Sequence, residues 1–208
     1  KINQCLEYWP DRGQNYMKKG FTLIEMMVAV SIFVIVAMIT TGALITISDV
    51  NRKAQAIKIA MDNVSFAMDS MVTNLREGSR FGCLTGPVAD NPTGYLTSAA
   101  SSGTFLDNEC TSDGQGVIFK SERVGSVANY IIYRFKNNGG KGSIQKASTG
   151  STQYVDLTSP EVNIKSLLFY IPSLSLSPTP RVVIVIEGEV PGKTPTKFNL
   201  QTTVKANF

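Results

Sequence analysis

The sequence predicts an α+β protein: a long N-terminal α-helix, membrane-spanning in its first half, packed on an antiparallel β-sheet. Three observations predict it. The run Phe21–Ile47 covers 27 residues, and Glu25 is its only charged side chain. Beyond it, Val50, Ala54, Ile57, Met61, Val64, Met68, Met71 and Leu75 recur at spacings of four and three, the mark of a helix with one buried seam. From Val117 onward the apolar period falls to two, the period of strands.

The elements follow in order. A run as long as Phe21–Ile47 exceeds the ~20 residues that one helical crossing needs. Lys18 and Lys19 place its start on the cytoplasmic side and everything after Ile47 outside. No proline occurs between Phe21 and Gly78, so one helix continues through both stretches: transmembrane over 21–47, amphipathic over 48–78. Arg52, Lys58, Asp62, Asn63 and Ser70 take the face opposite the seam, and Gly78 is the expected stop. Gly42 softens the helix, or packs closely against a neighbouring one. Met17 is a natural start, which would leave residues 1–16 outside the fold.

Residues 79–208 are expected to form a loop region followed by the sheet. Arg80 to Gln115 reads as loop, with Gly82, Gly86, Pro87, Pro92, Gly94, Gly103 and Gly114, and with room for a short element at Tyr95–Leu96 or Thr104–Leu106. A loop that long needs a staple or a function. Cys83 and Cys110 are the two cysteines outside the cytoplasm and form the disulfide candidate; two buried free thiols are the other reading. Strands are expected at Val117–Ser121, Ala128–Lys136, Gly142–Ala147, Tyr154–Leu157, Val162–Ile171, Arg181–Val190 and Lys197–Lys205. Asn137-Asn138-Gly139-Gly140-Lys141 has hairpin turn chemistry. The unbroken run Val182–Ile186 reads as a central strand buried on both faces.

Composition narrows function. The net charge of +4 on 208 residues comes without a dense basic stripe and gives no support for nucleic-acid contact. The chain has no histidine, which removes Ser-His-Asp and Cys-His nucleophiles and histidine metal sites. Gly139-Gly140-Lys141-Gly142-Ser143 lacks the P-loop spacing. Asp107, Asn108, Glu109 and Asp113 match no defined calcium loop. Glu187 and Glu189 share a strand face without a third group. No catalytic residue, metal or cofactor is expected.

Lys19-Gly20-Phe21-Thr22-Leu23-Ile24-Glu25 ahead of an apolar run resembles the N-terminus of type IV pilins and pseudopilins. The resemblance implies a leader, residues 1–20, removed by a prepilin peptidase after Gly20, and methylation of the new N-terminal Phe21. It implies that Glu25 pairs with the N-terminal amine of a neighbouring subunit during assembly. The later strands, around Ile131–Phe135, Val162–Tyr170 and Arg181–Val185, loosely resemble J-type minor pseudopilins and W-type minor pilins. Two departures from major pilins point the same way: Gly42 stands where those commonly carry a proline, and the cysteine pair lies early rather than near the C-terminus.

The expected function is a minor pilin or pseudopilin, a structural subunit of a type II secretion pseudopilus or a type IV pilus and not an enzyme. Its expected partners are the prepilin peptidase, other pilin subunits and the bacterial inner membrane, crossed once with the C-terminal domain periplasmic or extracellular. A DNA-uptake or adhesion pilus subunit, and a membrane-anchored binding domain that never polymerises, are the alternatives. A plain signal-anchor helix, or a secretory signal cut near Thr41-Gly42-Ala43, would explain the apolar run without Glu25 having a role.

Overall fold

The computed structural model describes residues 20–107, 109–122, 129–172, 180–192 and 195–206. Lys1 to Lys19, Asn108 and Ala128 of the readings above lie outside them, as does the side chain of Asp113. Helix α1 runs Leu23–Arg76, 54 residues without a proline and with Gly42 as its one glycine. The chain divides into two compact units, Lys1–Asp49 and Val50–Phe208.

In the first unit no described residue is buried. Its apolar side chains point outward all round; Phe33 and Met38 are each 72% exposed. The hydroxyls of this stretch are satisfied within the helix. Ser31 donates to the carbonyl of Met27 at 2.8 Å, Thr40 to Val36 at 2.6 Å, Thr41 to Ala37 at 2.8 Å and Thr46 to Gly42 at 3.1 Å. Hydrocarbon offers no water to a polar group, so back-bonding of this kind is what a lipid-facing helix requires.

In the second unit α1 packs on the sheet through Ala60, Val64, Ala67, Met71 and Leu75, with Met68 and Val72 beside them. The predicted seam is corrected at its start. Val50 and Ala54 are exposed, and Ala60 and Ala67 take places in the buried stripe. Tyr133 ties helix to sheet: Asn74 Nδ2 donates to its hydroxyl at 2.8 Å.

The described strands are β1 Gly78–Thr85, β2 Cys110–Ser121, β3 Asn129–Asn138, β4 Lys141–Ser148, β5 Val155–Asp156, β6 Asn163–Ile171, β7 Arg181–Val190 and β8 Thr196–Lys205. Every pairing is antiparallel, in the order β5-β4-β3-β2-β6-β7-β8, with β1 paired to β2 off that path. The class is α+β. Strand β2 is the hub: one edge pairs with β3, and the other is shared, Cys110 and Gly114 with β6 and Gly114 to Ser121 with β1. Gly139 and Gly140 turn the β3–β4 hairpin at φ 59° and 93°, the left-handed backbone a two-residue turn needs.

Three readings are corrected. Gly78 is not the helix stop; α1 ends at Arg76 and Gly78 opens β1. Arg80 to Gln115 is not a long loop, because it holds most of β1, a second helix α2 at Thr93–Ser102, and the start of β2. The strands buried on both faces are β2 and β3, not β7, whose Val183 and Val185 are only half-buried. The reason is α2, which covers the far face of the sheet. Leu96 and Ala99 form a second core there with Leu84, Leu106, Ile118 and Ile132.

Cys83 in β1 and Cys110 in β2 are joined by a disulfide, Cα–Cα 5.2 Å, across a separation of 27 residues. It closes the segment that carries α2. A loop of that length is worth about 3.5 kcal/mol in the chain-entropy account. Gly114 leaves the room: a Cβ there would lie 2.4 Å from Cys110 Sγ and 2.5 Å from the carbonyl oxygen of Phe169.

The other end of the segment is held by Arg134, 3% exposed. Its Nε and Nη2 donate to Gln145 Oε1 at 2.9 and 2.7 Å, and its Nη1 to the carbonyls of Val88 and Ala89 at 2.9 and 2.7 Å. Asp90 adds an ion pair at 3.1 Å, and the Tyr154 ring lies 3.7 Å beneath the guanidinium. Hydrogen bonds to Lys136 and Arg134 hold the Asp90 carboxyl below its ordinary range.

Candidate functional site

The candidate site is the N-terminal edge of α1. Gly20 and Phe21 precede the first helical residue, Leu23, and both are exposed; Phe21 is 78% exposed. The Gly20–Phe21 peptide is therefore neither locked in a helix nor covered among the described residues. Helix formation starts at once behind it. Thr22 Oγ1 accepts the backbone N–H of Glu25 at 3.3 Å, and the Thr22 carbonyl accepts that of Met26 at 3.3 Å. Thr22 is the N-cap, and Thr22-Leu23-Ile24-Glu25 has the spacing of a capping box. Sequence reasoning used Thr22 only as part of the resemblance; the Thr-x-x-Glu spacing was the signal that also gave it a physical role.

Glu25 lies in the first turn, where a carboxylate meets the positive end of the helix dipole. Its side chain is exposed, between Ile24 and Met26, which are exposed as well. No hydrogen bond or ion pair holds its carboxylate among the described residues. The contrast with the rest of the stretch is chemical. Ser31, Thr40, Thr41 and Thr46 bond back to their own helix, whereas Glu25 offers an acceptor that its own helix leaves unused. In hydrocarbon such a group costs about 2.5–3.5 kcal/mol at mid-helix on insertion scales. A cation brought by another chain would offset that cost.

The remaining sequence candidates are accounted for by structure. Gly139-Gly140-Lys141 is a strand–strand turn, so no phosphate loop exists there. Glu189 pairs with Lys165 at 2.7 Å and accepts from Asn163 Nδ2 at 3.0 Å. Those contacts, Lys165 first, hold its carboxyl below the ordinary range. Asp107 pairs with Arg80 at 2.9 Å. Among the described residues no group of three His, Cys, Asp or Glu side chains comes together to hold a metal.

Comparison with known families agrees with the N-terminal reading. Residues 15–41 match the prokaryotic N-terminal methylation motif. The match takes in Gly20, Phe21 and Glu25 and supports a type IV pilin-like subunit. The chain matches no curated protein and no solved structure. The apolar N-terminal helix and the motif together fit anchoring in the inner membrane by a single pass.

Proposed function

We propose that this chain is a minor pilin or pseudopilin, a structural subunit of a type II secretion pseudopilus or a type IV pilus. Prepilin peptidase removes the leader after Gly20, and the new N-terminus, Phe21, is methylated. The apolar stretch of α1 holds the subunit in the inner membrane with the sheet domain on the outside. On assembly, Glu25 accepts the ammonium of a neighbour's Phe21, so that both charges leave lipid as a pair. A paired charge is tolerable in low dielectric where a single one is not.

The observation that carries this reading is the unused carboxylate of Glu25, one helical turn beyond an exposed Gly20–Phe21 bond within a matched methylation motif. The test is mass spectrometry of the mature protein from a host with an active prepilin peptidase. The expected N-terminus is a methylated Phe21. A chain that keeps Gly20 would instead be a membrane-anchored binding domain, and the assembly role would fall.

A further inference from the structure

The two ends of the sheet are finished differently. At one end the last strand, β5, is 2 residues long, and N–H groups that β4 turns outward are taken by side chains of the same chain. Gly142 donates to Asn163 Oδ1 at 2.9 Å, Ile144 to Thr158 Oγ1 at 3.1 Å and Ser148 to Ser151 Oγ at 3.3 Å. At the other end β8 runs 10 residues, Thr196–Lys205, paired with β7 without a register shift. Ala206, next in line, donates its N–H to the carbonyl of Pro180 opposite it at 3.2 Å. Antiparallel hydrogen bonding alternates, so Thr196, Phe198, Leu200, Thr202 and Val204 bond to β7. Lys197, Asn199, Gln201, Thr203 and Lys205 turn their N–H and C=O groups away from the sheet. No hydrogen bond engages those groups among the described residues.

The residues of β8 do not blunt that edge. Between its lysines, Phe198–Val204 holds no charge, no proline and no glycine. A bare edge of this kind is an aggregation hazard unless something pairs with it. A lysine in its middle would block pairing; both lysines stand at the ends. The two faces of the strand differ. On the core side Phe198 and Leu200 are only half-buried, so one more strand would cover them. On the other face Lys197 and Lys205 are exposed, and β8 carries no acid. Glu187 and Glu189 lie one strand further in, and Lys165 holds Glu189 at 2.7 Å.

We propose that the outer edge of β8 is a docking site for an extended segment of another protein. The segment adds antiparallel, as every other pairing in the sheet does, with apolar side chains toward the core and carboxylates between them. Main-chain hydrogen bonds to the outward groups of β8 hold it. Its apolar positions cover Phe198 and Leu200. Its acidic positions meet Lys197 and Lys205, and opposite charges across strands stabilise a sheet. A second copy of β8 fits less well. Paired about Gln201, it sets Lys197 against the other copy's Lys205 at both ends, and sliding it keeps all four lysines on one face without an acid. The site lies wholly within the sheet domain and does not depend on Gly20, Phe21 or Glu25.

The test is fluorescence anisotropy with the full chain in detergent and capped, labelled octapeptides that alternate valine with glutamate or valine with lysine. The glutamate peptide is expected to bind about tenfold tighter than the lysine peptide, the scale of two cross-strand charge pairs turned from attraction to repulsion. Lys197→Glu with Lys205→Glu moves the preference to the lysine peptide. In antiparallel pairing, residues that exchange hydrogen bonds share a face, so the glutamates are the positions that bond to β8. N-methylation of the glutamates therefore abolishes binding, and N-methylation of the valines preserves it. Gln201→Pro removes an outward N–H but no bond to β7, and should weaken binding about tenfold with the circular dichroism of the sheet unchanged. Equal binding of the two charged peptides, no binding of the glutamate peptide, or binding that survives methylation of its glutamates would each overturn the proposal. So would concentration-dependent self-association of the chain that Gln201→Pro abolishes. The methylated peptides are read on the unsubstituted chain, so they decide the matter even where a variant fails to fold.

Discussion

The two stretches of α1 are one helix by hydrogen bonding and two different objects by chemistry. From Leu23 to Ile47 apolar side chains cover every side, and none is buried. From Ala60 to Leu75 the apolar side chains that count lie on one face, and that face is sealed against the sheet. The difference shows where each stretch finds its free energy. The second stretch draws it from its own domain, at about 1.5–3 kcal/mol for each large apolar side chain fully buried. In the first no described residue is buried, so it draws nothing from a core of its own. The carboxylates of the second stretch, Asp62 and Asp69, lie on its exposed face, whereas Glu25 stands among apolar side chains.

The strongest way to break this contrast is Glu25→Ala. The expected outcome is unchanged leader cleavage with incorporation into the filament reduced about tenfold or more, the scale of a lost buried ion pair. Immunodetection of the subunit in sheared filaments against whole membranes reads it, and undiminished incorporation would deny the carboxylate its role. Next comes the staple on the sheet domain. Replacing Cys83 and Cys110 together by alanine should lower unfolding free energy by about 3–4 kcal/mol. Denaturant titration in detergent reads that loss, and insertion in the membrane should not change.

Methionines then compare the two stretches directly. Met71→Ala, at a position 0% exposed, should cost about 3 kcal/mol through the cavity it leaves. Met38→Ala, at a position 72% exposed, should stay within about 0.5 kcal/mol in the same titration. Equal effects would show that the membrane stretch has a packed core of its own.

The smallest effect is alkaline. Burial raises the Tyr133 hydroxyl to about 12, against hydrogen bonds from its contacts with Ser70 and Asn74. A phenol raised in the folded state binds its proton more tightly there than in the unfolded chain. Its contribution is full below pH 10 and is lost as pH rises through the folded value near 12. Tyr133→Phe should flatten the fall in stability between those limits by roughly 2 kcal/mol, followed by circular dichroism.

The sequence made the regular parts legible. The proline-free run after Phe21 announced α1, and clean alternation announced β8, where Phe198, Leu200, Thr202 and Val204 face inward. What it hid was β1 and α2. Gly78-Ser79-Arg80-Phe81-Gly82-Cys83-Leu84-Thr85 holds two glycines and pairs with register shifts on either side of Gly82–Leu84, so no period of two survives. Thr93–Ser102 is made of threonine, serine, glycine and alanine around Tyr95 and Leu96, with little intrinsic preference for helix. Both form because tertiary contacts favour them: β1 through its ladder with β2, α2 through Leu96 and Ala99 in the far-side core.

The same concealment misplaced the doubly buried strand. Val182–Ile186 and Tyr130–Tyr133 are both unbroken apolar runs, and only the unseen helix decides which one is covered twice. At the N-terminus the motif that includes Gly20, Phe21 and Glu25 was readable because its residues are contiguous in the chain, and residues 15–41 match the methylation motif. The cap made by Thr22 became evident from its hydrogen bond.

The shared edge of β2 has a consequence in time. Its pairing with β1 joins residues that are near in sequence, whereas its pairing with β6 waits for Phe169 and Ile171. Synthesis runs from N- to C-terminus, so β1, α2, β2, β3, β4 and β5 emerge before β6. The early half can close its ladder and its disulfide while half of one β2 edge is still bare. Long-range pairing of this kind is slow to form and open to wrong partners until it does. Late arrival of β6 therefore defines a vulnerable interval during folding, and the bare Cys110–Gly114 segment marks where a chaperone or a misplaced strand would bind first.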